Sequence, residues 1–355
     1  MPKRGGEVRL WILFVILGLH FSAAASVPRQ IQVGCSILDV NGKLLRSFSG
    51  EFCRYFPDGK VLLSHGTTGL ALYDSEMKLL WERKMHVHHM LRETNDHKLL
   101  VLSSSVHLFR NVMTRFDKIY KFDMNGNVEG SFDFFANVHD LENANPLLLA
   151  RGLGPYEWDH VALPEVHWEY SHANSVFEIP LSPAAKSIPA FQAGNIIVNV
   201  SSANYILILD KDLKKILYSF TYLPNFDGDL VTHDVQVLKN GHLLVYVNNR
   251  QIGNNYVSTL EEFDQVEKKL VWQFHPKRSA VFNSKFSGGV QILDDGNILY
   301  SDTTRGGEVV EINRQGQELM RWSVPWVDPK TSKPLGLQEA KQLDLSQFLQ
   351  HNRGI

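Results

Sequence analysis

The sequence predicts an all-β fold, a β-propeller built from four-stranded blades, and three observations lead to it. A polar turn followed by two apolar residues recurs along the chain at residues 57–62, 95–100, 239–244 and 294–299. Short alternating strands follow these turns, and several units close on a tryptophan. No low-complexity linker divides the chain. Repeats of this length, each too small to bury a core alone, are typical of propellers. We predict six blades, with five or seven as alternatives.

The second half of each repeat is a strand, a polar turn and a closing strand. This order occurs at residues 69–82, 256–274 and 308–322. Alternating apolar residues separated by Asp, Asn and Gly turns indicate antiparallel hairpins, so four strands per unit is the simplest interpretation. We expect the closing tryptophans to pack between neighbouring blades. They are Trp81, Trp272 and Trp322.

The two ends of the repeat region are less regular than its middle. Residues 36–48 resemble only the second half of a unit, which predicts a ring closed by strands from different parts of the chain. We place the propeller domain at residues 31–326. The tail, 327–355, is predicted to carry a short amphipathic helix around 337–349 that docks on the outside. Residues 137–168 are rich in Pro, Gly and His and are interpreted as a stretch that hides a degenerate unit.

The N-terminus has the pattern of a secretory signal. Lys3, Arg4 and Arg9 flank or precede an uncharged apolar run at 10–19, and small residues at 23–25 offer a cleavage site. We predict a signal peptide at residues 1–25, with an uncleaved anchor as the alternative, and a periplasmic or secreted protein without a membrane span after cleavage. In that compartment the only two cysteines, Cys35 and Cys53, form either a disulfide or two buried thiols.

The formal charge of −2 at pH 7 is close to neutral, and no basic stripe indicates a nucleic-acid partner. The informative polar residues are instead the histidines. When the repeats are aligned on their turns, five residues occupy one equivalent position: Glu51, His89, His172, His233 and Gly288. The first strand of each blade lines the central channel of a propeller, so these residues are expected to converge there.

Three histidines at one repeat position predict a functional site. A cluster of imidazoles with an amide supplies a nucleophile, an acid or base and an anion cradle, or alternatively binds a metal. His88 competes with His89 for the inward direction, because adjacent residues of a strand face opposite ways. His139 is a further candidate, because residues 138–140 echo the sequence around His233.

At this point the chain resembles a family. Residues 168–176, with Trp168, His172 and Asn174, and the later pair His233 and Asp234 before an Asn-Gly turn, look like the PAPS-independent aryl-sulfate sulfotransferases. These are periplasmic six-bladed propellers. The likeness covers roughly residues 85–325 as repeats. It implies that His233 takes a sulfuryl group from an aryl sulfate as a sulfohistidine and passes it to a phenol. His172, Asn174 and His89 would hold the sulfuryl oxygens.

The chain differs from that family in lacking one positively charged residue. The resemblance implies an arginine near the second strand of the His172 blade, but residues 199–204 contain none. We expect Arg250 or Arg305 to replace it, since a guanidinium binds two sulfuryl oxygens at once. His88 and Glu51 complete the predicted substrate-binding set.

Two other classes of function stay open. The first is a non-enzymatic propeller that binds or scaffolds partners. The second is a quinone-cofactor dehydrogenase, whose propellers also carry Trp-ended repeats. It is disfavoured because regular Gly-Lys-x-x-Trp turns and a calcium-type carboxylate cluster are missing from the sequence. We therefore predict a transferase with aryl sulfate and phenol as small-molecule partners, no cofactor and no metal.

Overall fold

The strands assemble into six antiparallel sheets arranged as a six-bladed β-propeller, which confirms the predicted fold. The computed structural model describes residues 30–145, 154–155, 168–201, 205–222, 231–252, 255–275, 288–302, 308–323 and 340–343, except 34, 40, 49 and 67. The predicted signal peptide lies outside these residues. Among them, no helix is both long and apolar enough to cross a bilayer.

Strands are numbered in chain order, and blades 1 to 3 come from the N-terminal half plus one C-terminal strand. Blade 1 contains, in spatial order, β26 (Ala340–Leu343), β1 (Gln30–Val33), β2 (Ser36–Asp39) and β3 (Leu44–Ser47). Blade 2 contains β4 (Phe52–Tyr55), β5 (Val61–Ser64), β6 (Leu70–Tyr73) and β7 (Leu79–Arg83). Blade 3 contains β8 (Val87–Glu93), β9 (Leu99–Phe109), β10 (Val112–Phe122) and β11 (Val128–Asp133), with the two-residue strands β12 (Gly154–Pro155) and β13 (Trp168–Glu169) alongside.

Blades 4 to 6 follow the same plan. Blade 4 contains β14 (Ala173–Glu178), β15 (Ile196–Val200), β16 (Tyr205–Leu209) and β17 (Ile216–Thr221). Blade 5 contains β18 (Val231–Val237), β19 (Leu243–Ile252), β20 (Asn255–Asp264) and β21 (Lys269–Phe274). Blade 6 contains β22 (Val290–Ile292), β23 (Ile298–Asp302), β24 (Glu308–Ile312) and β25 (Glu318–Ser323). In each blade the first strand in spatial order is the innermost.

Blade 1 closes the ring with strands from both ends of the chain, as the sequence predicted. β26 pairs antiparallel with β1, Gln30 opposite Leu343 and Val33 opposite Ala340. The predicted helix at 337–349 is wrong over residues 340–343, which are strand. Without β26 the inner edge of β1 would leave its backbone donors and acceptors unpaired, and the ladder satisfies them. The tail therefore contributes to the propeller, which does not end at 326.

The same type of hydrogen-bonded turn joins the third and fourth strands of every blade. A side-chain oxygen accepts backbone N–H groups two or more residues ahead, which holds the turn closed. The accepting residues are Asp39, Asp74, Asp123, Asp210, Asp264 and Asn313.

The closing tryptophans pack on the next blade, as predicted. Trp81 Nε1 donates to the carbonyl oxygen of Met124 at 3.0 Å, and Trp272 Nε1 donates to that of Arg314 at 3.0 Å. Both acceptors lie in the outer turn of the following blade. Trp322 is buried in an apolar cluster shared by blades 6 and 1. Each indole thus joins two blades through one hydrogen bond or one buried ring.

The irregular stretch at 137–168 does not form a further blade in its described part. Residues Val138–Ala144 are a helix, α1, and β13 runs parallel to β10. His139 lies on α1 with its side chain 89% exposed, so its predicted place among the central histidines is wrong. The echo of the His233 sequence was misleading because residues 138–144 form helix α1, which contacts the outermost strand of blade 4 and is not an inner strand.

Cys35 and Cys53 form a disulfide that joins the start of β2 in blade 1 to β4 in blade 2. Their sequence separation is 18 residues. A crosslink that closes a loop of this size typically stabilises a fold by about 3 kcal/mol. The disulfide therefore reinforces the ring beside the place where the two chain ends meet.

Candidate functional site

Three neighbouring inner strands carry a β-bulge at the residues that the sequence singled out. Pairing of β8 with β9 shifts between Val87 and Leu91, of β14 with β15 between Ala173 and Ser175, and of β18 with β19 between Thr232 and Asp234. The residues left outside the ladders include His88, His89, Asn174 and His233. A bulge re-aims a side chain at the rim of a sheet. The same device therefore presents site residues from blades 3, 4 and 5.

The bulge in β8 overturns the expectation that His88 and His89 face opposite ways. His89 has φ 58°, in the left-handed region that non-glycine residues seldom adopt. The strict alternation of a strand fails there. The two rings therefore meet edge to face with centroids 5.0 Å apart, and Nδ1 of His88 lies 2.8 Å from Nδ1 of His89.

The three predicted histidines converge from three blades. The ring of His89 lies 4.8 Å from that of His172 and 5.7 Å from that of His233, measured between centroids. Nε2 of His89 lies 3.3 Å from Nε2 of His172. His172 precedes β14, and its carbonyl oxygen accepts from the Ser201 N–H at 2.8 Å. The convergence inferred from repeat position is thus a feature of the fold.

Asn174 fixes the proton on the His233 ring. Its Nδ2 donates to the Thr232 carbonyl oxygen at 3.1 Å and lies 3.3 Å from His233 Nδ1. A carbonyl only accepts, so the NH₂ group faces this side and His233 Nδ1 accepts its second hydrogen. A neutral His233 then carries its proton on Nε2. The same Thr232 carbonyl also accepts from Asn199 Nδ2 at 2.8 Å.

Burial keeps His233 neutral. The residue is 3% exposed, and burial followed by the charge of His172 lowers the pKa of His233 to about 3. Burial likewise lowers the pKa values of His88 and His89 well below their usual range, with Arg115 and His172 as the next contributions respectively. The imidazoles nearest the axis are therefore uncharged bases at neutral pH.

A buried arginine that the sequence analysis missed lies behind the histidines. Arg115 is 2% exposed; its guanidinium bonds Glu169 at 3.1 Å and Asp117 at 3.1 Å. Asp117 also accepts from Ser171 Oγ at 2.7 Å and from the Ala173 N–H at 2.8 Å. The available signal was the spacing of Arg115 and Asp117, which places two charges on one face of a strand.

Asp234, the residue after His233, makes its hydrogen bonds elsewhere. Its carboxylate accepts from Arg92 at 3.3 Å and from the Val290 N–H at 3.1 Å. Arg92 is in β8, Asp234 in β18 and Val290 in β22. This buried ion pair therefore joins the inner strands of blades 3, 5 and 6 across the axis.

Two of the predicted substrate-binding residues, Glu51 and Arg250, have contacts outside the histidine cluster. Glu51 is exposed before β4, with its carboxylate against Gly66. Arg250 Nε lies 3.4 Å from the carboxylate of Glu261, which is 0% exposed. That carboxylate also accepts from the Tyr222 hydroxyl at 2.5 Å. The guanidinium of Arg250 therefore takes part in an ion pair within blade 5, and its role in substrate binding stays a prediction. Arg305 lies outside the described residues.

His88 is also placed differently from a substrate ligand. It is 7% exposed, and Nε2 contacts the Ser103 carbonyl oxygen at 2.9 Å and Asp117 Oδ1 at 3.2 Å. It therefore stands behind His89, away from the exposed side of the cluster. Across the part of the chain that the structure describes, no group of three or more His, Cys, Asp or Glu side chains is arranged to hold a metal.

No protein-family model and no curated protein matches the chain. Solved structures do match. A crystal structure of a protein of unknown function from Bacteroides caccae is 13% identical with a TM-score of 0.54, covering 90% of this chain and 100% of that one. The periplasmic gluconolactonase of Pseudomonas aeruginosa is 11% identical with a TM-score of 0.47, over 90% and 100% of the two chains. At 13% identity the likeness to the Bacteroides caccae protein shows a shared fold alone.

Proposed function

We propose that this protein transfers a sulfuryl group from an aryl sulfate to a phenol through His233. The observation that carries the proposal is a neutral, buried His233 imidazole beside Asn174, His89 and His172 at the propeller axis. An uncharged ring nitrogen has a lone pair that attacks sulfur, and neighbouring donors stabilise the oxygens whose charge grows as the S–O bond breaks. The residues resemble the sulfotransferase motif at each of these four positions.

Asn174 has a second role in this proposal. With the proton on Nε2, the lone pair of His233 is on Nδ1, where Asn174 already donates. Attack through Nε2 needs the proton on Nδ1 instead. A half-turn of the amide provides this, because Asn174 Oδ1, which has no hydrogen-bond partner among the described residues, then accepts from Nδ1–H. The turn costs the bond from Asn174 to the Thr232 carbonyl and brings two acceptor oxygens together. Thr232 keeps its bond from Asn199.

The proposed compartment is the periplasm or the outside of the cell. The charged and apolar N-terminal pattern supports secretion, and the Cys35–Cys53 disulfide is typical of an oxidising environment.

The test uses the mature protein and a chromogenic aryl sulfate, with and without a phenol acceptor. We expect phenol release, faster with acceptor, and a mass increase of one sulfuryl group on His233 when the acceptor is omitted. His233→Ala should lose at least about a hundredfold in turnover, as expected for a nucleophile. His97→Ala is the matched control, because His97 lies in the turn between β8 and β9 with its side chain 81% exposed.

Two results would contradict the proposal. If the protein gives no phenol release and no covalent adduct, a binding propeller without catalytic activity is favoured. Activity that disappears with EDTA and returns with a divalent cation would replace the histidine nucleophile by a metal site.

A further inference from the structure

Three imidazoles form a continuous line of short contacts between two acceptors, and we call His172, His89 and His88 the histidine line. Nδ1 of His172 lies 3.2 Å from Glu169, and Nε2 lies 3.3 Å from Nε2 of His89. Nδ1 of His89 lies 2.8 Å from Nδ1 of His88. At the far end, Nε2 of His88 faces the Ser103 carbonyl at 2.9 Å and the Asp117 carboxylate at 3.2 Å.

The contacts of the histidine line need more protons than neutral rings supply. Each contact requires one hydrogen between two lone pairs. A carboxylate stands at one end and a carbonyl with a carboxylate at the other, and all of these accept only. Four contacts therefore need four hydrogens, whereas three neutral imidazoles carry one ring N–H each. The arrangement is satisfied when the line holds one additional proton.

The surroundings place that proton at the outer end of the line. Burial lowers the pKa values of His88 and His89, and Arg115 and the other imidazoles, His86 among them, act in the same direction. His172 faces the carboxylate of Glu169 and has a side chain 18% exposed. The additional proton therefore resides between His172 and Glu169.

We propose that the histidine line stores one proton in the resting protein, gives it to the phenolate that leaves the aryl sulfate, and regains it from the acceptor phenol. The inference rests on the proposed function, which it deepens by naming the acid and base. His172 is the member that exchanges the proton with substrate. His88 contacts no substrate and is a positioning residue. Its Nδ1 accepts a hydrogen from His89, and this contact creates the need for the additional proton.

Each half-reaction balances. In the first, a lone pair of His233 forms the N–S bond, the S–O bond breaks, and its electron pair leaves on the phenolate, which takes the stored proton and departs as phenol. One contact of the line then joins two lone pairs, which is unfavourable. In the second, the acceptor phenol gives its proton to the line, its oxygen attacks sulfur, and the N–S bond breaks with its electron pair returning to His233.

The stored proton also accounts for the missing arginine. Arg115 is buried and shared between Asp117 and Glu169, so its charge is matched by carboxylates. The additional proton supplies a positive charge beside His233 that a sulfuryl group meets on arrival. A proton differs from a guanidinium because it leaves with the phenol, so the charge is present for the donor and absent when the acceptor must be deprotonated.

Two substitutions at His88 separate the stored proton from simple packing. In His88→Phe the acceptor nitrogen facing His89 is lost. Two contacts remain, from Glu169 to His172 and from His172 to His89, and the two hydrogens of two neutral rings fill them without an additional proton. In His88→Gln the amide accepts from His89 and donates to Ser103, so the surplus remains. Glu169→Gln is a second loss variant, because an amide N–H donates to a neutral His172 and satisfies the end without a proton.

The first measurement is ¹⁵N NMR of protein labelled at histidine, without substrate. We expect His172 to carry hydrogens on both ring nitrogens at pH 7 in the wild type and in His88→Gln, and on one nitrogen in His88→Phe and Glu169→Gln. A neutral His172 in the wild type, or a doubly protonated His172 in both loss variants, overturns the inference. If His88→Phe does not fold, Glu169→Gln decides alone.

The second measurement is phenol release from a series of aryl sulfates whose phenols differ in pKa. The wild type and His88→Gln should depend weakly on the leaving-group pKa, since the phenolate is protonated as it departs. His88→Phe should fall by about a hundredfold or more for the poorest leaving groups, the usual contribution of a general acid. An equal loss across the series would assign His88 to packing alone. Because the NMR result needs no turnover, it tests the line even if aryl sulfates are not substrates.

Discussion

Burial, more than any single partner, decides the chemistry of His233. A solvent-exposed histidine is partly charged near its usual pKa, whereas His233 is 3% exposed and stays neutral. Asn174 then sets which nitrogen holds the proton. The residue types were visible in the sequence, but the protonation state follows from depth and from one amide contact, neither of which a sequence pattern records.

Arg250 gives a residue-scale prediction. Its ion pair with the fully buried Glu261 makes it a structural residue. Arg250→Met should lower the free energy of unfolding by about 2 kcal/mol or more, since it leaves a buried carboxylate with only neutral partners. Urea denaturation measures this. Arg321→Met is the control, because Arg321 lies on an outer strand in exposed pairs, where removal costs about 1 kcal/mol or less.

The contrary result at Arg250 is equally informative. A variant with unchanged stability that releases phenol more slowly would return Arg250 to the substrate-binding set. The sequence alone favours a substrate-binding Arg250, because it does not reveal that Glu261 on the neighbouring strand β20 lies beside the guanidinium.

At the scale of elements, bulges explain how regular blades make an irregular site. β8, β14 and β18 each interrupt their ladder at the residues that face the axis. Bulges commonly occur beside active sites, where they redirect side chains. In β8 the cost is concentrated in His89, whose positive φ is unfavourable for a residue with a Cβ atom.

The strain at His89 predicts an inverted order of two small substitutions. His89→Gly should be more stable than His89→Ala by about 1 kcal/mol, because alanine keeps the left-handed penalty and glycine removes it. Met90 is the control in the same strand. Its φ is not positive, so Met90→Ala should be more stable than Met90→Gly. Thermal unfolding of the four variants provides the comparison. If alanine is the better replacement at both positions, the left-handed backbone at His89 is not retained in solution.

The elements also show what the sequence reveals and what it hides. Asp and Gly turns and closing tryptophans are local signals, and they located most hairpins. The bulges left no signal, since a strand with one unpaired residue has the same alternating composition. Residues 340–343 misled the analysis because a four-residue strand is too short to display a period, while the surrounding tail has helix-like spacing. Arg115 and Glu169 meet only because β13 lies parallel to β10.

At the scale of the whole molecule, the site belongs to the ring and to no single blade. Blades 3, 4 and 5 supply the histidines, Arg92 and Asp234 join the inner strands across the axis, and β26 with β1 closes the circle. Each catalytic contact in the proposal is therefore a contact between blades.

The buried neutral histidines give a prediction for the stability of the whole propeller against acid. The pKa of His233 is about 3 in the folded protein and about 6.5 when unfolded. Between these values the unfolded chain binds a proton that the folded protein does not, so stability is complete above the unfolded pKa and is lost as pH falls towards 3. His88 and His89 act in the same direction. From His233 alone we expect the free energy of unfolding to fall by about 3 kcal/mol between pH 7 and pH 4.

Urea denaturation between pH 7 and pH 4 measures how the free energy of unfolding depends on pH. His233→Gln cannot titrate at this position and should lower that dependence. If wild type and variant lose stability in parallel, the pKa of His233 is the same in the folded and unfolded protein, and burial does not lower it as the proposed neutral nucleophile requires.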